Sequence, residues 1–339
     1  MNTAPPLLPL AIAVISLLPG TTAPAQQQPL PAAPEKLVVL SYNLNNYATR
    51  QSRRDDKAYA ATARIIAAVD PDIMVLSEIA GEAGVERLQG DLAAAGRHYP
   101  YATVVNAADT NRKLAVLARF VPVRVAHDTT STYQIKERTQ PVKRGFAYCV
   151  FRFANDYELH IVGAHLKSKV FNTLGQTDMR RYEARQLRYH VDTILKSDAG
   201  ANVLVVGDLN DSPDSSSINT LMKRRAGAGK RLYDLRPVDE TKASWTHIWW
   251  RADAYSRHDY TLASFGLLPE VDFGGCIIPT FPDWATSSDH RPLITVLQPR
   301  NRTAPQVLNH FERSIFMPPS ADAEEPAAGT RKPQREDDK

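Results

Sequence analysis

The fold is decided by one stretch, Val203-Leu204-Val205-Val206-Gly207-Asp208-Leu209-Asn210-Asp211-Ser212-Pro213. Its first four residues are apolar and mostly β-branched, which predicts a buried strand. The glycine lets the backbone turn away from the sheet, and the Ser-Pro pair closes the turn. Asp208 and Asn210 face one way if the strand extends to them. An acid and an amide aimed at one point suit a hard cation, a phosphate or an activated water, although a turn that satisfies its own backbone uses the same residues.

Around this stretch, strands and helices alternate, and hairpins are interspersed. This pattern predicts mixed sheets covered by helices, in one domain spanning residues 35–300. Apolar runs predict strands at 37–43, 73–78, 102–106, 113–119, 146–153, 158–164, 203–206, 257–264 and 293–297. Helical spacing predicts helices at 56–69, 82–95 and 178–196, with a short one from Asp214. Residues 227–258, which hold three of the four tryptophans, are predicted to be irregular.

The two ends of the chain differ from this domain in composition. Residues 7–18 are apolar and precede Ala23-Pro24-Ala25, the pattern of a secretory signal, although no Lys or Arg precedes them. We expect a signal peptide over residues 1–25, a linker over 26–34, and a secreted or periplasmic protein. A disordered Pro/Ala-rich leader is the alternative. Residues 301–339 are expected to be a C-terminal extension that is disordered from about residue 318.

The predicted domain is modestly basic. The whole chain has 339 residues and a net charge of +4, but residues 319–339 carry −2 and residues 1–34 no charged side chain, so residues 35–318 carry about +6. This charge is compatible with a polyanionic substrate. Export would permit a disulfide between Cys149 and Cys276, and two buried free thiols are equally compatible with the sequence. No glycine-rich phosphate loop of the P-loop or dinucleotide type occurs, which excludes two common classes.

Polar residues recur where the predicted strands begin or end. They are Asn43, Glu78, His165, Asp208 with Asn210, Asp259, and Asp289 with His290. One such residue is a turn, but six separate instances predict a common site at one edge of the sheets. The set has few histidines and no cysteine, which disfavours a zinc cage. Carboxylates and amides suit Mg²⁺ or Mn²⁺, with the histidines on substrate or water.

The same residues carry a resemblance to a known family. Six blocks occur in family order across residues 37–297, namely Ser-Tyr-Asn, Leu-Ser-Glu, Ala-His-Leu-Lys-Ser-Lys, Val-Gly-Asp-Leu-Asn-Asp, His-Asp-Tyr and Ser-Asp-His. The ordered set resembles the endonuclease/exonuclease/phosphatase superfamily, and exported bacterial members of it in particular. The resemblance implies an α/β fold, the DNase I-like four-layer sandwich, in which two packed mixed β-sheets are flanked by helices.

The resemblance also implies a metal and a water site. Glu78 resembles the metal-binding glutamate, with Asn43 beside it and Asp289 as a second metal-side carboxylate. Asp208 resembles the acid that positions or deprotonates the attacking water, and Asn210 the amide that steadies the phosphorane-like transition state. The implied cofactor is Mg²⁺, with Mn²⁺ or Ca²⁺ as alternatives.

Further matched positions concern proton transfer and phosphate binding. His290 is similar to the catalytic histidine, Asp259 to the acid that orients it, and His165 to the histidine placed against the scissile phosphate. Whether His165, His290 or a metal-bound water protonates the leaving group stays open. Arg138 and Lys167 are weaker candidates for contacts with substrate phosphate.

Several side chains in or near the blocks have two interpretations. Lys167, Lys169, Arg180 and Arg181 suit either a phosphate-gripping surface or an ordinary solvated face. The tryptophans at 245, 249 and 250 could stack on bases, but packing in the core or a loop is favoured because large aromatic side chains usually pack.

Three functions are compatible with these observations. We favour a secreted metal-dependent nuclease that acts on DNA or RNA as a monomer, with no obligate protein partner. The second is a lipid phosphodiesterase or phosphatase of the same superfamily, such as a sphingomyelinase or a phosphoinositide phosphatase. This sequence does not match the signature of the inositol phosphatases, and no aromatic hairpin for membrane insertion is evident in it. The third is a non-catalytic binding module on the same fold.

Overall fold

The computed structural model describes residues 29–223 and 226–301. The predicted signal peptide over 1–25 and the C-terminal extension beyond residue 301 lie outside the described residues. The strands are β1 (Leu37–Tyr47), β2 (Ile73–Ile79), β3 (Tyr101–Val105), β4 (Lys113–Ala118), β5 (Arg124–Val125), β6 (Thr132–Ile135), β7 (Arg138–Pro141), β8 (Phe146–Arg152), β9 (Glu158–His165), β10 (Asn202–Asp208), β11 (Leu232–Asp234), β12 (His247–Trp249), β13 (Ala254–Ser256), β14 (Asp259–Ser264), β15 (Val271–Ile277) and β16 (Leu293–Leu297). The α-helices are α1 (Asp56–Val69), α2 (Gly81–Ala94), α3 (Gln176–Ser197), α4 (Ser216–Met222) and α5 (Trp284–Ser287).

Two six-stranded sheets form the centre of the described structure. The first has the order β15-β16-β1-β2-β4-β3, and the second has the order β11-β14-β10-β9-β8-β5. The pairs β1–β2 and β9–β10 are parallel, and the other pairs within these sheets are antiparallel, so both sheets are mixed.

The sheets pack face to face over a shared apolar core. Val75 and Val116 of the first sheet belong to the same buried cluster as Leu204 and Val206 of the second. A second cluster joins the outer face of the second sheet to α3 and α4, and a third joins the outer face of the first sheet to α1 and α2. The resulting four layers confirm the predicted fold class.

Helix α1 illustrates how local sequence sets the boundaries of an element. The side chain of Asp55 accepts a hydrogen bond from the amide of Ala58 at 2.9 Å, which caps the first turn. Asp70 has a left-handed backbone conformation, with φ of 53°, and its amide binds the carbonyl of Ile66. The helix therefore begins and ends at the predicted residues 56 and 69.

Most other long elements also lie within about two residues of their predicted positions, but β1 continues to Tyr47, four residues past its predicted end. Several short strands were not predicted. Residues 227–258 were predicted to be irregular, and this prediction is wrong in part, since they contain β11 and the hairpin β12–β13. Strands of two or three residues carry too little periodicity to stand out. Strand β15 was missed because Gly274 and Gly275 interrupt its apolar pattern.

The two cysteines are free thiols. Cys149 on β8 and Cys276 on β15 are both buried and unbonded. Burial raises the pKa of each thiol to about 12, so both are neutral at physiological pH. Among the described residues, no helix has the length and apolar character needed to cross a bilayer.

Gly207 occupies a position that excludes a side chain. Its φ is +135°, and an added Cβ would lie 2.0 Å from the carbonyl oxygen of Ala164 on the neighbouring strand β9. We expect Gly207→Ala to lower the free energy of unfolding by about 3 kcal/mol or more, because backbone strain adds to the steric overlap. Urea denaturation measures this as a lower midpoint at an unchanged m-value.

Gly90 in α2 provides the matched control for this substitution. A Cβ built there meets nothing within 4 Å. Gly90→Ala is expected to stabilise the protein by about 0.5–1 kcal/mol, since alanine loses less backbone entropy in a helix. Equal effects of the two substitutions would contradict the interpretation of Gly207.

Candidate active site

Three predicted site residues lie abreast on neighbouring strands of the second sheet. Asp208, the last residue of β10, is in register with His165, the last residue of β9, and with Asp259, the first residue of β14. Residues directly opposite each other on paired strands project from the same face of a sheet. All three side chains are buried, so the sheet itself places two acids and an imidazole together.

The first sheet brings two more predicted residues to the same place. The amide of Asn43 on β1 donates a hydrogen bond to Asp208 Oδ2 at 3.0 Å. Glu78 on β2 has its Oε1 3.8 Å from His165 Nε2, and the same nitrogen lies 3.6 Å from Asp208 Oδ2. The site is therefore formed where the ends of the two packed sheets meet.

Glu78 reaches the site from a bulge. Its φ is +59°, and the pairing of β2 with β4 shifts register between Ser77 and Ile79. Such a backbone conformation costs about 1–3 kcal/mol in a residue other than glycine and is found disproportionately at functional sites. Glu78 Oε2 accepts a hydrogen bond from the amide of Asn46 at 3.1 Å and lies 3.3 Å from Arg112 Nε. The bulge thus re-aims a carboxylate that an unbroken strand would direct elsewhere.

His290 is held between two carboxylates. Its Nδ1 donates to Asp259 Oδ2 at 2.7 Å, and its Nε2 lies 3.8 Å from Asp208 Oδ2. The amide of His290 is bound by Ser288 Oγ at 3.1 Å, which orients the turn that carries the ring. Among the described residues, Asp208, Asp259 and His290 form a candidate metal-binding group whose ligand atoms all lie within 4.8 Å of one another.

Burial and charge give the two histidines opposite protonation preferences. Burial opposes a charge on His290, but the carboxylates of Asp259 and Asp208 outweigh it and raise its pKa to about 10. Burial, followed by the charges of Arg144 and His290, lowers the pKa of His165 well below its ordinary value. Near neutral pH, His290 is therefore protonated and His165 is neutral.

The two acids also differ. Burial, followed by the charge of Asp259, raises the pKa of Asp208. Burial would also raise the pKa of Asp259, but the charge and hydrogen bond of His290 outweigh it and lower the pKa. Asp259 is thus the fixed counter-ion of His290, and Asp208 is the more basic carboxylate of the pair.

Asn210 lies at the site but not for the reason expected. We expected Asp208 and Asn210 to face one way along a continuing strand. The strand instead ends at Asp208, and Asn210 has a left-handed φ of 55°. Its side-chain amide instead donates to the carbonyl of Leu166 at 3.0 Å, and its backbone amide donates to Asp208 Oδ1 at 2.9 Å. Asn210 therefore joins the ends of β9 and β10.

Three predicted site residues do not contact this cluster. Asp289 lines a neighbouring cleft, and its side chain makes no hydrogen bond or ion pair with the residues that the structure describes. Arg138 is exposed on β7, without a side-chain contact to the cluster. Lys167 directs its Nζ to the carbonyls of Ser168 and Val170, at 3.0 and 3.1 Å.

The sequence predicts that the arginines of α3 either bind phosphate or form a solvated face, and Arg180 does neither. It is buried, its Nε donates to Asp211 Oδ2 at 2.9 Å, and its NH1 donates to the carbonyl of Lys167 at 3.1 Å. It ties the segment after His165 to the segment after Asp208. Arg181 pairs with Asp178 at 2.9 Å on the surface of the helix.

Several residues of the site are not among those predicted from the sequence. Arg112 precedes β4, and it reaches Glu78 because β4 is antiparallel to β2. Arg144 is buried and donates to the carbonyl of Leu166 at 3.3 Å. The ring of His247 stacks on that of His258, with centroids 4.8 Å apart, and lies tilted beside that of His290, with centroids 4.7 Å apart. The contact between Arg112 and Glu78 follows from the pairing of β4 with β2, which a single sequence does not reveal.

The tryptophan region differs most from expectation. Trp245 is packed as predicted, with the Arg291 guanidinium 4.2 Å from its ring centroid. Trp249 and Trp250 are 58 % and 56 % exposed, so neither packs in the core, although Trp250 keeps a ring contact with Trp284. The turn of the hairpin β12–β13 carries them away from the sheets. Tyr255 on β13 is exposed as well, so the hairpin presents three exposed aromatic side chains that were not evident from the sequence.

A buried acid lies behind the site. Glu183 on α3 accepts a hydrogen bond from the amide of Lys167 at 2.6 Å. Burial outweighs the opposing charge of Arg144 and the hydrogen bond from Lys167, and it raises the pKa of Glu183 from 4.5 to about 7. The folded state therefore favours the neutral acid. Its contribution to stability is fully present below pH 4.5 and is lost as pH rises through 7.

We therefore expect Glu183→Gln to flatten the dependence of stability on pH. A neutral amide keeps an oxygen for Lys167 but has no charge to bury, so the variant should gain up to about 3 kcal/mol over the wild type at pH 8. Urea denaturation between pH 4.5 and 8 measures the difference. Glu86→Gln, at an exposed position of α2, is the control. Parallel stability curves for wild type and Glu183→Gln would contradict the prediction.

The comparisons with known proteins define the family. The sequence profile described as "Endonuclease/Exonuclease/phosphatase family" matches residues 40–290, which is most of the chain. The protein belongs to this family. It has the fold of the family's phosphodiesterases and phosphatases, together with a candidate metal site. No curated protein matches the chain.

Solved structures agree on the fold. A truncated TDP2 of Caenorhabditis elegans is 17 % identical with a TM-score of 0.54, and the match covers 78 % of this chain and 97 % of that one. Sphingomyelinase C of Streptomyces griseocarneus is 22 % identical with a TM-score of 0.53, covering 77 % and 99 %. The human nocturnin catalytic domain is 16 % identical with a TM-score of 0.52, covering 77 % and 94 %. At these identities the similarity establishes the fold alone.

Proposed function

We propose that this protein is a divalent-metal-dependent phosphodiesterase that hydrolyses DNA or RNA. The observation that carries the proposal is a convergence of side chains from three places: Glu78 and Asn43 from the first sheet, Asp208 and His165 from the second, and His290 from the loop before β16. Phosphodiester cleavage needs charge stabilisation at the phosphate, an aligned water and a proton for the leaving alkoxide. These side chains offer a group for each need.

The donor set fits a hard divalent cation. Glu78 and Asn43 offer carboxylate and amide oxygens, and His165 Nδ1 is buried without a hydrogen-bond partner among the described residues. Glu78 and Asn43 would hold Mg²⁺ or Mn²⁺, which neutralises charge on the phosphate oxygens when bound. We assign the ion to these residues because the 2.7 Å bond between His290 and Asp259 already uses one nitrogen and one oxygen of the alternative group.

The chain's own residues account for the proton transfers. Asp208 is the acceptor for a proton of the attacking water, and the amides of Asn43 and Asn210 hold its carboxylate in place. His290 presents Nε2 on the side of Asp208, while Asp259 fixes the opposite nitrogen. We therefore assign His290 the proton that goes to the leaving oxygen. His165 serves as a neutral hydrogen-bond donor to a phosphate oxygen.

Nucleic acid is the favoured substrate because of charge. Residues 35–318 carry a net charge of about +6. Arg53, Arg54 and Arg112 line the cleft beside Glu78, together with asparagine side chains. Arginine and amide donors along a groove suit a polyanionic backbone. The signal-like pattern of residues 1–25 supports a site of action outside the cytoplasm, and this location is part of the proposal.

One observation favours a lipid phosphodiester as the second candidate. The hairpin β12–β13 exposes Trp249, Trp250 and Tyr255, a surface that could rest on a membrane. The similarity to a sphingomyelinase C is compatible with this reading but, at 22 % identity, does not distinguish it from the first.

Separate assays with nucleic-acid and lipid substrates distinguish the two candidates. The purified protein is incubated with plasmid DNA, with RNA, with sphingomyelin vesicles and with a phosphoinositide, each with Mg²⁺ and with EDTA. We expect cleavage of DNA or RNA with Mg²⁺ and none with EDTA. Turnover of lipid alone would replace the first proposal by the second. Absence of turnover with every substrate would point to a non-catalytic binding module and overturn both.

A further inference from the structure

A cleft of about 500 Å³ adjoins the candidate active site on the side of the first sheet. Asn46 and Arg112 line this cleft, and both also bind Glu78. Asp289, the neighbour of His290, also lines it. A substrate held at Glu78 and His290 would therefore extend directly into the cleft, which makes the cleft a subsite beside the scissile bond.

Trp250 presents an aromatic ring to this cleft. It lies at the turn of the hairpin β12–β13, lines the cleft and is 56 % exposed. Its ring stacks on that of Trp284, with centroids 5.8 Å apart and an interplanar angle of 16°. Trp284 begins α5, which is fixed to α1 through the 2.8 Å contact between Ser287 and Thr62 hydroxyls. Trp250 is thus an exposed ring whose orientation is fixed by a half-buried neighbour.

Arg53 adds an uncommitted positive charge. Arg54 is occupied by the carbonyls of Leu44 and Ala58, and Arg112 by Asn46 and Glu78. Arg53 is exposed on the same wall and forms no hydrogen bond or ion pair with the residues that the structure describes. It is the cleft cation that is free to meet an anionic ligand.

We propose that Trp250 and Arg53 form a nucleotide subsite, in which a base flanking the scissile phosphate stacks on Trp250 and an adjacent phosphate pairs with Arg53. The inference rests on the proposed nuclease function and specifies its substrate as single-stranded nucleic acid, since a base in a duplex is not free to stack on a side chain. A polar cleft with one aromatic platform suits a base, whereas an acyl chain would need an apolar lining.

The neighbouring Trp249 makes the proposal testable. Trp249 is 58 % exposed on the same hairpin but does not line the cleft. A general apolar surface would use both rings, whereas a base subsite uses only Trp250. The measurements compare Trp250→Ala, Trp249→Ala and Trp250→Phe, with a short single-stranded oligonucleotide and with an oligomer of equal length that lacks bases. Thermal unfolding verifies that each variant is folded.

We expect Trp250→Ala to raise KM for the oligonucleotide about 10-fold with little change in kcat, in line with the loss of one base stack. KM for the base-free oligomer should not change, and Trp250→Phe should restore most of the affinity. Trp249→Ala should leave both substrates unaffected. Equal effects of the two alanine variants, or an equal loss with the base-free oligomer, would overturn the inference.

Arg53→Gln tests the charged half of the subsite. We expect this variant to bind both oligomers more weakly. The slope of log K against log salt concentration should become shallower by about one, because one phosphate contact is lost. Arg124→Gln, at an exposed position on the edge strand β5, is the control and should change neither. An unchanged salt slope in Arg53→Gln would remove Arg53 from the subsite.

The wild-type protein separates failure of the inference from failure of the proposed function. A wild type that cleaves oligonucleotides, with a Trp250→Ala variant that behaves like it, refutes only the subsite. A wild type that cleaves sphingomyelin vesicles and no oligonucleotide refutes both, and equal losses of vesicle binding in the two alanine variants would then identify the hairpin as a lipid-binding surface.

Discussion

His290→Ala is expected to lower kcat by about 10³-fold while the protein remains folded, which is in the range attributed to one general acid or base. The reason is geometric. His290 is the imidazole that is held at one nitrogen by Asp259 and faces Asp208 with the other. Steady-state hydrolysis of the best substrate, with the metal at saturation, measures the effect.

A second variant controls for the loss of a buried hydrogen bond. The side-chain amide of His290→Asn can still donate a hydrogen bond to Asp259, but it cannot act as a general acid. The variant should therefore be as inactive as the alanine variant and more stable. His160→Ala is the matched histidine control, because His160 lies five residues before His165 on β9, about 16 Å along the strand. Wild-type kcat in either His290 variant would remove this residue from the chemistry.

The second large effect is expected for Glu78→Gln. The amide keeps the shape of the side chain but loses the charge that would hold the ion, so metal affinity should fall by about 100-fold or more. Activity at a fixed, subsaturating Mg²⁺ concentration should fall in proportion and recover in part at high Mg²⁺. The titration of activity with metal measures both.

Thermal unfolding gives a readout of the same site that does not depend on turnover. Mg²⁺ should raise the Tm of the wild type and leave that of Glu78→Gln almost unchanged, since a ligand stabilises only the state that binds it. Glu82→Gln, four residues further along at an exposed position of α2, should respond like the wild type. An equal rise in Tm for Glu78→Gln would place the ion elsewhere, with the Asp208, Asp259 and His290 group as the next candidate.

The strand-end residues of the site could be predicted because each follows or begins an apolar run. Glu78, His165 and Asp208 occupy such positions, and parallel pairing of neighbouring strands brings two of them together. The resemblance to a family then supplied the roles. What could not be predicted is how each side chain is aimed. The bulge at Glu78 has no marker in local composition, since its positive φ falls on a residue other than glycine, whereas Asn210 lies among residues that favour turns.

Contacts between distant segments were the other gap. Arg112 and Glu78 are brought together by strand pairing, and Arg180 is buried because two loops fold over it. Composition alone classes both arginines as surface charges. The tryptophans show the reverse error, because the usual tendency of aromatic side chains to pack holds for Trp245 and fails for Trp250 at a hairpin turn.

The row formed by His165, Asp208 and Asp259 crosses three interior strands of one sheet, and this has a consequence for how the protein loses activity. No one of these residues can move away from the others unless the ladder between β9, β10 and β14 breaks, which requires opening the sheet. Backbone amides of β9 and β10 should exchange with deuterium as slowly as the most protected amides in the chain. The exposed loop at Val170 and Phe171 should exchange quickly. Heat inactivation and melting should then coincide, with no inactive intermediate between them.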